Sequence, residues 1–158
     1  MSVTRRTLQY ADLDAVIADA ELLLTKGYDK TGNWDLAQCC LHLTQWLTFP
    51  IEGFPKPPLP IRMMLWMMKV TIGRPKLNKY LAEKAFPTGK PTIPETVYQT
   101  GGDPKEAVAK LNAAVRKFQA HKGDVHPSPL FGSMTKDECT RLQLVHCAHH
   151  LSFLVPKM

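Results

Sequence analysis

Residues 142–154 read LQLVHCAHHLSFL, and this one stretch holds His146, His149 and His150, half of the chain's six histidines. Its leucines, Val145 and Phe153 suit a buried helix. An α-helix advances about 100° per residue, so His146 and His150 stand one turn apart on nearly the same side, close enough for two imidazoles to share one metal ion. With Leu142 as origin, His146 falls at about 40°, His149 at about 340° and His150 at about 80°. His149 therefore pairs with His146 almost as well as His150 does. Periodicity leaves that choice open, and it leaves open a metal-free reading in which the histidines are hydrogen-bonded packing residues.

Immediately upstream, Thr135 and Glu138 have the T-x-x-E spacing of a capping box, which predicts a helix from about Lys136 to Leu154. A loop, GDVHPSPLFGSM, precedes it. Before that loop, Asp103 as cap and Pro104 at the first helical position start another helix, with Val108, Leu111, Ala114, Val115 and Phe118 as its apolar stripe. It stops near His121. At the other end of the chain, Leu13, Val16, Ile17, Ala20, Leu23 and Leu24 recur at three- and four-residue steps and Gly27 ends the run. A second helix is expected from an Asn33 cap, with Leu36, Cys39, Cys40, Leu43 and Leu47 turned inward, ending before Pro50.

Five prolines between Pro50 and Pro60 predict an irregular connector. RMMLWMMKV, with four of the seven methionines, reads as a short packed helix. From Gly73 to Gly102, the five basic residues Arg74, Lys76, Lys79, Lys84 and Lys90 alternate with Pro75, Pro87, Pro91 and Pro94, the composition of a long, exposed and partly irregular crossover. No segment shows strand alternation and no repeat is visible. The expectation is all-α: one domain over 1–158, four principal helices in a bundle and a shorter helix inserted.

At 158 residues and 17.8 kDa the chain can bury a real core without disulfides. Its formal charge of +6 is spread out rather than gathered in a stripe, so no nucleic-acid partner is expected. Cys39, Cys40, Cys139 and Cys147 have no CxxC spacing and read as reduced thiols of a cytoplasmic protein. Arg5 and Arg6 are followed by Asp12, Asp14, Asp19 and Glu21, which argues against an export signal. The apolar run from Ile61 to Val70 is broken by Arg62 and Lys69 and is far short of the roughly 20 residues that span a bilayer, so no membrane partner is expected.

Divalent ions accept neutral imidazole, and three histidines leave positions for water or substrate. The last helix offers two. His42, midway along the second helix, is the natural third. Cys39, three residues before it, is a candidate neighbouring thiol or a small core residue, and Cys147 turns away from His146. His121 and His126, at a helix end and in a loop, are expected in solvent, while Gln38, Gln45, Trp46 and Gln143 are candidate pocket residues.

HCAHHLSFL resembles the HxxHH or HxxxH element in the last helix of the DinB/YfiT-like superfamily, and NWDLAQCCLHLTQWL resembles that superfamily's second helix, which carries a single histidine. PLFGSMTKDECTRLQLVHCAHHLSFL and RRTLQYADLDAVIADAELL further resemble a bacterial branch with a PLFG loop before the capped helix. The resemblance implies a four-helix bundle with a divalent metal held by His42, His146 and His150, and places His149 beside the site. Zinc or nickel is the first expectation, then iron or manganese. It implies a metal-dependent hydrolase, or a transferase using a low-molecular-weight thiol such as mycothiol or bacillithiol, acting on a small molecule, and is compatible with a homodimer. The basic crossover would then attract an anionic substrate. Where relatives carry Gly-Gln after the final histidine this chain has Leu151 and Ser152. A non-enzymatic helical stress-response or small-ligand-binding module is the alternative.

Overall fold

Asp12 accepts from the Ala15 amide and starts α1 (Leu13–Lys26), which buries Leu13, Val16, Ile17, Ala20 and Leu23. Gly27, at φ 73°, takes the left-handed conformation that frees the chain to turn. The computed structural model describes residues 3–90, 92–99 and 102–158, so Pro91 of the crossover lies outside the described residues. The chain is mostly helical, as expected, with one minor two-stranded sheet.

α2 (Leu36–Glu52) departs from expectation at both ends. Its cap is Asp35, not Asn33: the Asp35 carboxylate accepts from Gln38 N and the Gln38 side chain accepts from Asp35 N, a reciprocal box that a lone Asn cannot make. Nor does α2 stop before Pro50, which is buried inside the last turn. A proline there has no N–H for the carbonyl four residues back. That carbonyl belongs to Trp46, and it accepts instead from Gln143 Nε2 at 2.8 Å. The helix continues because a side chain from α6 replaces the missing donor.

The irregular connector is confined to residues 53–58. From Leu59 the chain is helical without a break to Glu83: α3 (Leu59–Met68), a π-helical segment (Lys69–Gly73) and α4 (Arg74–Glu83). Two expectations change here. The Met-rich helix is not packed, since α3 contributes no buried side chain. The first part of the crossover is a helix: Pro75 follows directly on the π-helical segment, where the backbone ladder changes register, and α4 buries Leu77 and Leu81 against Leu142. Gly73 sits where a Cβ would collide with the Leu130 carbonyl oxygen, so this helix approaches the PLFG loop closely.

α5 (Pro104–Ala120) and α6 (Lys136–Leu151) begin as their caps predict. Asp103 accepts from Lys105 N, and Thr135 and Glu138 form the reciprocal box. α1, α2, α5 and α6 share one core that includes Leu23, Leu43, Leu111, Phe118 and Leu151. α6 ends at Leu151 rather than Leu154, because Leu154 pairs with Lys30 in an antiparallel sheet of β1 (Tyr28–Lys30) and β2 (Leu154–Pro156). Three-residue strands are too short to show alternation in sequence. No helix among the described residues is long and apolar enough to cross a membrane.

Candidate metal centre

Facing stripes of α2 and α6 bring the histidines together. His42 Nε2 lies 3.2 Å from His146 Nε2, and His150 Nε2 lies 3.0 Å from the same atom. One ligand atom from each of the three lies within 4.8 Å of the others, and the group contains no carboxylate or thiol. Imidazole nitrogens bound to zinc at about 2.0–2.1 Å in tetrahedral array stand about 3.3 Å apart, so this spacing suits a small divalent ion.

Each ring is held. The Thr96 carbonyl can only accept, so His42 Nδ1, 2.9 Å away, carries the proton and leaves the Nε2 lone pair facing His146. Thr96 is fully buried in the 3₁₀ turn Pro94–Thr96, which the crossover lays against α2. Trp34 stacks on His150, its ring 5.1 Å away and 7° from parallel, and meets His42 edge-on at 5.0 Å. Trp46 and Phe86 flank His146 at 5.4 and 5.6 Å. His42 is fully buried; His146 and His150 each keep a partly accessible edge.

Burial disfavours the imidazolium form of all three. It pushes His42 down to about 4 and His150 to about 2, and carries His146 well below the ordinary histidine range, with neighbouring histidines adding to all three. Neutral rings have lone pairs to place. One proton on His146 Nε2, shared between two neighbours, serves them poorly; a divalent cation would serve all three nitrogens.

His149 points elsewhere. Its ring packs between Phe86 and Phe153, at 6.0 and 5.6 Å, and its buried Nδ1 has no partner among the described residues. Its carbonyl accepts from Arg5 Nη2, and the Leu151 carbonyl accepts from Arg6 Nη2. The two arginines thus satisfy carbonyls that the end of α6 leaves free, where positive charge also suits the helix dipole. Ser152 is part of the same clasp: it accepts from Arg5 Nε at 2.8 Å and donates to the His149 carbonyl at 2.7 Å. Arg6 is anchored in turn by a two-pronged pair with Asp19.

The remaining candidates divide. Gln38 and Gln45 hold the crossover, donating to the Tyr98 carbonyl and hydroxyl. Trp46 Nε1 and Gln143 Oε1 are buried without partners among the described residues, one turn along α2 and α6 from the histidines. Cys39 is buried, its thiol raised by desolvation, and it only reaches the His150 carbonyl, at 3.9 Å. Cys40, Cys139 and Cys147 are likewise buried and free. His126 is exposed, whereas His121 is half-buried because Nε2 bonds the Asp124 carbonyl. Sequence reading missed Trp34, Phe86 and Thr96. Trp34 lay within the quoted second-helix motif, but a backbone carbonyl such as that of Thr96 leaves no mark in residue type.

Two surface depressions, of about 200 and 270 Å³, lie beside Tyr10 and Arg141 and beside Phe118 and Lys136, and neither is lined by the three histidines. No curated protein and no solved structure matches the chain. Residues 2–157 match the model of a family described as a protein of unknown function, DUF1569, and the chain belongs to that family.

Proposed function

We propose that the chain is a DinB-like bundle acting as a metal-dependent enzyme, a hydrolase or a transferase using a low-molecular-weight thiol, with His42, His146 and His150 holding zinc or nickel, or else iron or manganese. The observation that carries this reading is the convergence of three neutral Nε2 atoms at 3.0 and 3.2 Å. Such an ion would supply Lewis acidity, drawing the pKa of a coordinated water or thiol toward neutrality.

The chain's own contribution is positional. His42 is locked by Thr96 and His150 by the face of Trp34, so two ligands keep their orientation before anything binds. The aromatic rings of Trp46 and Phe86 flank the His146 ring and limit its exposure to one edge. Trp46 Nε1 and Gln143 Oε1 retain an unused donor and acceptor for a polar group of a substrate. With only histidines in the group, proton transfer is assigned to no protein carboxylate.

That missing carboxylate favours the second reading, a non-enzymatic metal or small-ligand module. The two separate in a screen of metal-loaded protein on ester, amide and electrophilic substrates, each with and without mycothiol or bacillithiol. Turnover that disappears in His146→Ala supports the enzyme. Full metal loading with no turnover across the screen supports the module.

A further inference from the structure

α3 is an apolar helix that buries no side chain against the described residues. Leu59, Met63, Met64, Trp66 and Met67, with Val70 in the π-helical continuation, are 53 to 63% exposed, and among the described residues the helix's only extensive neighbour is that continuation. Leu59, Met63, Trp66 and Val70 follow each other at steps of four, three and four, the spacing of a helix–helix seam, and Met64 and Met67 widen it on one side. Six large side chains exposed to this degree leave roughly 700 Å² of contiguous apolar surface in water, against about 300–600 Å² for the largest patch of an ordinary monomer and about 800 Å² from each partner of a standard interface.

We propose that this seam is a two-fold interface, in which α3 of one chain packs antiparallel on α3 of a second copy with Trp66 near the axis. The area is the argument: it is what one half of a stable dimer contributes, and a two-fold arrangement sets the same seam against itself. Trp66, the largest apolar group on the stripe, becomes the central anchor. Arg62 and Lys69 border the seam, and Gly53–Ala82 contains no acidic residue, so the rims that meet across the axis are both positive. Their aliphatic stems cover the edge of the seam while the charges reach outward. Salt screens that repulsion, so this association tightens as ionic strength rises. Docking on an anionic lipid surface would weaken under the same change.

Sedimentation velocity of the wild-type chain at about 1–100 μM tests this, in roughly 50 mM and 500 mM salt. A species of twice 17.8 kDa is expected, with an apparent dissociation constant at least threefold lower in the higher salt. Trp66→Glu is expected to be monomeric throughout that range. Because α3 buries no side chain, this variant should keep the wild-type circular dichroism and metal content. A wild-type monomer at the highest concentration would overturn the proposal, whether or not the protein binds anionic vesicles. So would a Trp66→Glu dimer of unchanged affinity, or a dimer that dissociates as salt rises.

Discussion

α6 and α3 are both rich in apolar residues and both lack acidic residues along their central turns, yet one carries buried polar groups and the other exposed apolar ones. Several polar groups on α6 meet partners supplied by other elements. Gln143 answers the carbonyl that Pro50 leaves free on Trp46, His146 faces two other imidazoles, and the helix's last carbonyls receive Arg5 and Arg6. α3 has no such partner among the described residues. Burial follows from what a neighbouring element can satisfy, and composition alone does not determine it.

Substitutions at matched places sharpen that contrast. Leu151 on α6 is fully buried, so Leu151→Ala should lower unfolding free energy by about 3 kcal/mol in a denaturant titration. Gln143→Leu keeps the bulk but strands the Trp46 carbonyl, and about 2 kcal/mol should be lost. If Gln143→Leu is neutral, the account of how α2 accommodates Pro50 fails. Trp34→Leu removes the plane against His150 and should weaken metal binding about 10-fold, a change readable by competition with a chelating dye.

The sequence made α6 legible in detail because its start is written in residue types: Thr135 and Glu138 bond each other's backbone whatever the rest of the chain does. α2 was harder to delimit. Asn33 and Asp35 both cap helices well, and only the side chain of Gln38 decides between them. Pro50 looks like a terminator until Gln143, 93 positions later in the chain, is brought beside it. The histidine set was half legible. Helical spacing placed His146 with either His149 or His150, and the structure brings His150 into the group because its ring lies against Trp34. Exposure of α3 was not legible, since a solitary apolar helix and a core helix have the same composition.

Smaller effects test the same contrast from the other side. Burial lowers the folded-state pKa of His42 to about 4, from an ordinary value near 6.5. Between those values the unfolded chain takes up a proton that the folded chain refuses. In metal-free protein this contribution to stability is therefore complete above about pH 6.5 and is lost as pH falls toward 4. Within the folded state protons do not compete for the three nitrogens until well below neutrality. Metal affinity measured calorimetrically should then change by less than about threefold between pH 7.5 and 6, where solvent-exposed histidines near their ordinary pKa would lose more. Least of all, Met63→Ala on α3 should shift the stability of the monomeric Trp66→Glu background by no more than about 0.5 kcal/mol. A loss of 2 kcal/mol there would mean that α3 is packed after all.

The central claim is that His42, His146 and His150 form one metal centre. Elemental analysis of protein purified without an immobilised-metal column tests it most directly, on wild type, His42→Ala, His146→Ala and His149→Ala, each checked for folding by circular dichroism. The account predicts about one divalent ion per chain in wild type and in His149→Ala, and less than a tenth of that in the other two. A folded wild-type chain that takes up no ion even when zinc or nickel is supplied, or a His146→Ala variant that keeps its ion, would contradict it.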